Sequence, residues 1–99
     1  MVRINWTFQA KDDLKSIAEY ISRDSRKYAK LQVLRIKNRT DLLKSQTYLG
    51  KIVSEIDKEN IRELIEGRYR VIYKIVSEKQ IDILTIHHTA RVLTRRTIK

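Results

Sequence analysis

Two neighbouring stretches hold the residues of this 99-residue chain best suited to chemistry: Ile61-Arg-Glu-Leu-Ile-Glu-Gly-Arg-Tyr-Arg-Val-Ile-Tyr-Lys-Ile-Val76 and Ile81-Asp-Ile-Leu-Thr-Ile-His-His-Thr-Ala-Arg91. In both, apolar and β-branched positions are interrupted by arginines and by the adjacent pair His87 and His88. Such runs read as half-buried strands, so the sheet they form would present phosphate-binding cations and proton-transferring imidazoles. An imidazole titrates near pH ~6.5 when unperturbed and therefore exchanges protons close to neutrality. Each residue also has a plainer use. Arg70 can pair with Glu63 or Glu66 across a hairpin. His87 and His88 fall on opposite faces of a strand, which argues against a metal held between them and makes one of them a packed or hydrogen-bonded side chain. Tyr28, Tyr69 and Tyr73 suit core or interface positions better than base stacking, and Trp6 suits the core.

These strands need elements to position them. Val2 to Trp6 is short, β-branched or aromatic and partly alternating, the pattern of a strand. Thr7 can cap a helix whose first turns carry Asp12 and Asp13, favourable near a positive helix end. Ala10, Leu14, Ile17, Ala18 and Ile21 recur on one face, which predicts helix one from about Phe8 to Arg23. Asp24 or Ser25 caps a second helix with Ala29, Val33, Ile36 and Leu43 along one stripe, widened by Tyr28, Leu31 and Leu42. The hairpin is expected to end near Ser45 to Gly50, where glycine supplies backbone freedom. Ile52 to Ile56 reads as a first, irregular strand, and Asp57 to Asn60 as a turn. Ile61 to Ile65, a tight Glu66-Gly67 turn, Arg68 to Val76, a second turn and Ile81 to His88 then make an antiparallel meander, because such short connections cannot cross to a parallel neighbour. The expected class is α+β: an N-terminal strand, a two-helix hairpin and a three- to four-stranded antiparallel sheet packed on the helices, with its other face open for function.

Length and composition narrow the possibilities. Ninety-nine residues allow one domain, taken as 1–99, and the absence of cysteine removes disulfides and thiolate metal sites. No apolar run approaches the roughly 20 residues that span a bilayer, so the expected setting is the cytoplasm, with no membrane partner. The formal net charge is +10, and it is concentrated. Arg26, Lys27, Lys30, Arg35, Lys37, Arg39 and Lys44 face Asp41 alone within residues 26–44, and Arg91, Arg95, Arg96 and Lys99 crowd the last nine residues. That potential attracts a polyanion or a strongly acidic protein.

The ordered set of a first strand ending in Trp6, Ala10-Lys-Asp-Asp-Leu14, Ile17 through Tyr20-Ile21, Asp24-Ser25, Tyr28-Ala29, Gly50, Ile61-Arg-Glu-Leu64, Gly67-Arg-Tyr-Arg-Val-Ile-Tyr73 and Ile83-Leu-Thr-Ile-His-His-Thr-Ala-Arg91 resembles the RelE/ParE superfamily of bacterial type II toxins over nearly the whole chain. One departure is Gln46, near where relatives often carry a proline, so a less sharply defined exit from helix two is expected. The resemblance implies a growth-inhibiting toxin of a plasmid-stabilisation type system, without a cofactor, neutralised by a cognate acidic antitoxin in a toxin–antitoxin hetero-oligomer. The basic excess agrees with such a partner.

Within that superfamily two mechanisms are open. A RelE/YoeB-like chain would be a ribosome-dependent mRNA endoribonuclease working without a metal, which needs a base for the 2′-hydroxyl, a cation for the phosphate and an acid for the leaving oxygen. The resemblance then places Arg70 as the phosphate-binding arginine, His88 as acid or base, and Glu55 as a possible base. A ParE-like chain would block DNA gyrase by binding alone. The long hairpin, the Asp-Leu-x-x-Ile-x-x-Tyr-Ile spacing from Asp13 to Ile21 and the His-x-x-Ala-Arg-x-Leu ending from His87 to Leu93 lean that way. Arg62, Tyr69, Arg91, Arg95 and Arg96 are the residues expected to contact target or antitoxin. A non-catalytic nucleic-acid-binding module is the third reading.

Overall fold

The computed structural model describes residues 1–89 of the chain. The order is β1 (Arg3–Trp6), α1 (Phe8–Ser22), α2 (Arg26–Asp41), a 3-10 turn at Leu42–Lys44, β2 (Lys51–Ile52), β3 (Ile61–Glu66), β4 (Tyr69–Ser77) and β5 (Gln80–His88). Local chemistry explains the helix starts. Extended Thr7 accepts the Ala10 N–H at 3.2 Å, and extended Ser25, rather than Asp24, accepts the Tyr28 N–H at 3.1 Å. Ala10 and Leu14 of α1 and Ala29, Ile36 and Thr40 of α2 face inward, as the apolar spacing requires. Tyr28 does not widen that stripe; it is 66% exposed. Trp6 sits half-buried at the margin of the core.

The five strands lie in the order β1-β5-β4-β3-β2. The meander β3-β4-β5 is antiparallel, but β1 joins β5 in parallel, from Arg3 opposite Gln80 to Trp6 opposite Ile83, so the sheet is mixed and has one strand more than the four expected at most after the helices. Short connections dictate direction only within the meander. The partner of β1 lies most of a chain length away, and the sequence carries no local signal for it. β1 stops opposite Ile83, which leaves the outer edge of β5 unpaired beyond that point, and Asp13 replaces the missing strand. Its carboxylate accepts the Ile86 N–H at 3.0 Å and the Thr85 hydroxyl. The expectation that Asp13 chiefly serves the helix dipole is therefore corrected.

The exit from α2 also differs. The α-helix stops at Asp41, several residues before Ser45, and leaves through the 3-10 turn and bonds from Gln46 N–H to Leu42 C=O and Leu49 N–H to Gln46 C=O, each 3.0 Å. Gly50 matters for space rather than for helix exit: a Cβ there would lie 2.5 Å from the Glu63 carbonyl oxygen and 2.7 Å from the Tyr73 ring. The fully buried Tyr73 hydroxyl accepts the Gly50 N–H at 3.0 Å and donates to the Thr47 carbonyl at 2.9 Å, which ties this segment to the sheet. Gly67, with φ +60°, meets the ordinary demand of a two-residue hairpin turn.

One face of the sheet packs Leu64, Val71, Tyr73, Ile81, Ile83 and Ile86 against Ala10, Leu14, Ile36 and Leu43. The other face is not open, as expected, but partly roofed. The proposed strand from Ile52 to Ile56 is reduced to Lys51–Ile52, after which Val53 and Ile56 turn down onto Ile61 and Ile72, with Leu84 beside them. Ile61 and Ile72 give that face too much apolar area to remain in water, and a turn closed by Asp57 N–H to Val53 C=O at 2.8 Å delivers the cover.

Two substitutions test this account. Gly50→Ala should cost about 1–3 kcal/mol, the range for forcing extra volume into a packed site. Gly67→Asn should cost less, because asparagine tolerates a left-handed backbone and the space beside Gly67 is ordinary, with Gln32 no nearer than 3.6 Å. Urea midpoints of the two variants report the order.

Candidate functional site

Arg70 is the most constrained charged group among the described residues. β4 presents it on the roofed face, two residues before Ile72 of the second core cluster, and its side chain is only 10% exposed. A guanidinium so placed must be paired, and two carboxylates meet it. Glu63, 7% exposed and one strand away on β3, accepts from Nε at 2.9 Å and from Nη2. Glu55, on the turn after β2, accepts from Nη1 at 2.7 Å and Nη2 at 3.0 Å, a fork-to-fork pair. Lys51 Nζ approaches the free Glu63 oxygen at 3.9 Å from an exposed position. Hydrogen bonding to Arg70 holds the Glu55 carboxyl at about 2, well below its usual 4.5, against an opposing push from partial burial. The same contacts, that with Glu55 foremost, raise the guanidinium above its ordinary value. Glu55 is thus an ionised, weakly basic carboxylate, and the arginine's solvent-facing edge is occupied.

The three residues set out as a possible nuclease set do not converge. Glu55 and Arg70 touch. His87 stands opposite Arg70 in the β4–β5 register, whereas His88 stands opposite Tyr69. Facing residues on paired strands share a side, so His88 belongs to the helix-bearing side and Arg70 to the other. The Tyr69 and His88 rings meet edge to face, centroids 5.7 Å apart and planes at 82°, consistent with that placement. Together with Asp13, Ser16, Ile17 and Tyr20 of α1, and with Arg68 and Ile86, they line a groove of about 700 Å³. In the sequence Asp13 is a helix-end charge, Tyr20 belongs to the Asp13 to Ile21 spacing and Arg68 to the Gly67 to Tyr73 run; only the tertiary structure brings the three to one groove. The usable signal was the α1 stripe Asp13, Ser16, Ile17, Tyr20, which runs at helical spacing beside the buried one.

Arg62 serves the loop it lies against. Its Nη1 donates to the Gly50 carbonyl at 2.9 Å, its Nε to the Glu59 carbonyl at 3.0 Å, and its guanidinium lies 4.9 Å from the centroid of the Tyr48 ring. Arg91, Arg95 and Arg96 lie outside the described residues. Among the described residues no group of three or more His, Cys, Asp or Glu is placed to hold a metal ion, and no helix is long and apolar enough to cross a membrane.

Residues 4–93 match the family model described as the ParE toxin of the type II toxin–antitoxin system parDE. The chain belongs to the ParE toxin family. It is 31% identical over 91 residues to Toxin RelE2 of Caulobacter vibrioides, covering 92% of this chain and 99% of that protein. Among solved structures, it superposes on the chromosomal ParDE toxin–antitoxin system of P. aeruginosa with a TM-score of 0.72 at 23% identity, over 89% of this chain and 96% of the other. A chain of the E. coli DinJ-YafQ complex follows with a TM-score of 0.63 at 18% identity, over 91% and 96%. These likenesses confirm the α+β fold with its hairpin packed on the sheet. The chain is accordingly a toxin of a type II toxin–antitoxin system within the RelE/ParE superfamily.

For this ParE-family chain, the ion cluster has measurable consequences. Because the folded-state pKa of Glu55 lies below its ordinary value, the pair stabilises the protein above about pH 4.5, and that contribution fades as pH falls towards about 2. The stability difference between wild type and Glu55→Gln should therefore shrink across that window in acid titrations followed by circular dichroism. Arg70→Met, which strands the buried Glu63 carboxylate, should cost about 3–5 kcal/mol, and a second change, Glu63→Leu, should restore much of it.

Proposed function

We propose that this toxin arrests growth by binding and blocking DNA gyrase, in the cytoplasm, without catalysing a reaction of its own. The observation that carries this reading is the division of the would-be catalytic groups. Arg70 is neutralised by Glu55 and Glu63 on one side of the sheet, and His88 lies on the other side. A metal-free ribonuclease needs a base, a phosphate-binding cation and an acid around one scissile bond. Here the base candidate is strongly acidic and is itself the arginine's ligand. The match to the ParE toxin model leans the same way. Arg62, fastened to the Gly50 and Glu59 carbonyls, acts on this reading by shaping the loop rather than by reaching a target.

The cognate antitoxin is proposed to be acidic, on the ground of the +10 charge. Arg91, Arg95, Arg96 and Tyr69 remain the residues proposed to contact target or antitoxin. The ribosome-dependent nuclease reading draws on one observation, the direct contact of Glu55 with Arg70, and requires that contact to open.

Purified toxin should inhibit supercoiling by gyrase while leaving messenger RNA intact in a translation extract, and His88→Ala should still arrest growth. Position-specific cleavage of messenger RNA that disappears in His88→Ala would replace this reading with the nuclease. Arg70 substitutions are a poor discriminator, since their cost to folding would lower toxicity on either reading.

A further inference from the structure

Two clefts along the helical hairpin hold none of the residues considered above for chemistry, target or antitoxin. The first, of about 500 Å³, is lined by Trp6 and Leu14 together with the exposed Lys11 and Lys15. The second, of about 540 Å³, carries Ala29 and Leu34 and ends among Glu19, Arg26 and Lys30. Ala18, Val33 and Lys37 line both, so the two are parts of one trough between α1 and α2. Each part falls within the size range of small-ligand sites. Charge is distributed unevenly along the trough. At the Trp6 end three lysines stand with no acidic residue in the lining, and none of the three has an ion-pair partner among the described residues. At the other end Glu19 stands with Arg26 and Lys30.

A ligand that suits this trough has an apolar body and a single anion at the Trp6 end. Covering Val33, Leu34 and the Trp6 ring removes apolar area from water. Three ammoniums along one cleft repel one another and attract an anion. The helical backbone of both walls uses its N–H and C=O groups internally, so an extended peptide finds no main-chain partners there. A second copy of the chain would set its own lysines against these. An acidic amphipathic helix carries charge along its whole length, whereas the far half of the trough already holds Glu19. From Lys11 to Ser22 the helical rise makes the trough about 16 Å long, the reach of an extended chain of about twelve carbons. We infer that the trough binds a free fatty carboxylate, with its head at Lys11, Lys15 and Lys37 and its alkyl chain along Ala18, Val33 and Leu34.

Binding of this kind is independent of gyrase blocking, and Trp6, the one tryptophan of the sequence, lines the site and reports on it. The test is titration of the full chain with dodecanoate below its micelle-forming concentration, followed by Trp6 emission and by calorimetry. One alkyl chain should bind per protein, and the emission should move to shorter wavelength. Affinity should rise about two- to fourfold with each methylene from octanoate to dodecanoate and then level off, because longer chains run out of the trough. Dodecanol and dodecylammonium should bind about tenfold more weakly than dodecanoate, since neither offers an anion to the lysines. Ala18→Phe, which fills the trough at a half-exposed position, should weaken dodecanoate binding by about tenfold or more. Lys37→Gln should weaken it about fivefold. Lys79→Gln, the same change of charge on the exposed β4–β5 turn, should leave it unchanged, with circular dichroism confirming that each variant folds. If Ala18→Phe does not fold, the comparison of Lys37→Gln with Lys79→Gln decides. Equal affinity for dodecanol or dodecylammonium, equal losses in the two lysine variants, indifference to chain length, or uptake of several alkyl chains per protein would each overturn the inference. So would a Trp6 response to phosphatidylglycerol vesicles or to an acidic amphipathic peptide when dodecanoate gives none.

Discussion

A guanidinium placed inside a sheet must find carboxylates there, since an unpaired buried charge costs several kcal/mol, and much of this molecule follows from how Arg70 finds them. Glu63 supplies a fixed partner from the neighbouring strand. The second partner, Glu55, comes from the same turn that lays Val53 and Ile56 onto Ile61 and Ile72. Ion pairing and apolar burial therefore act on the same short segment and close the same face. The Tyr73 hydroxyl and Arg62 fasten the approach to that turn through the Thr47 and Gly50 carbonyls.

The consequence for function is that the most conspicuous cation of the sheet already has its anions. A side chain in that condition orders a surface and shapes a loop, while the exposed cations elsewhere set the long-range potential of the molecule. The opposite side of the sheet is built differently. There the helices supply most of the packing, and where β1 ends Asp13 satisfies the edge of β5, leaving a groove walled by α1 and floored by the start of β4 and the end of β5. The two sides share strands but little chemistry.

Much of the local architecture was legible from the residues. Thr7 as a cap, the inward stripe Ala10, Leu14 and Ile17, the Gly67 turn and the β3-β4-β5 meander all rest on interactions within a few residues of each other, and short-range geometry leaves few alternatives. Sequence and structure part company where partners are distant. Asp13 reads as a helix-dipole residue until Ile86 is beside it, seventy-three positions on. Residues Ile52 to Ile56 have strand composition, but cover for the second face was worth more than additional ladder bonds. Gly50 was recognised as necessary for the wrong reason, because the collision it avoids involves Tyr73 and the Glu63 carbonyl, far away in the chain.

By itself, the order of apolar and polar residues determined an α+β chain with a capped helical hairpin, an antiparallel meander and a strong positive charge, because periodicity, capping and charge are properties of neighbours. Only the tertiary structure decided that β1 runs parallel to β5, that Glu55 and Glu63 share Arg70, and that His87 rather than His88 faces the same way as that arginine. Each of those outcomes depends on strand register and on which distant segment roofs a face. Register is a collective result of packing the whole sheet, where a shift of one residue reverses every side chain.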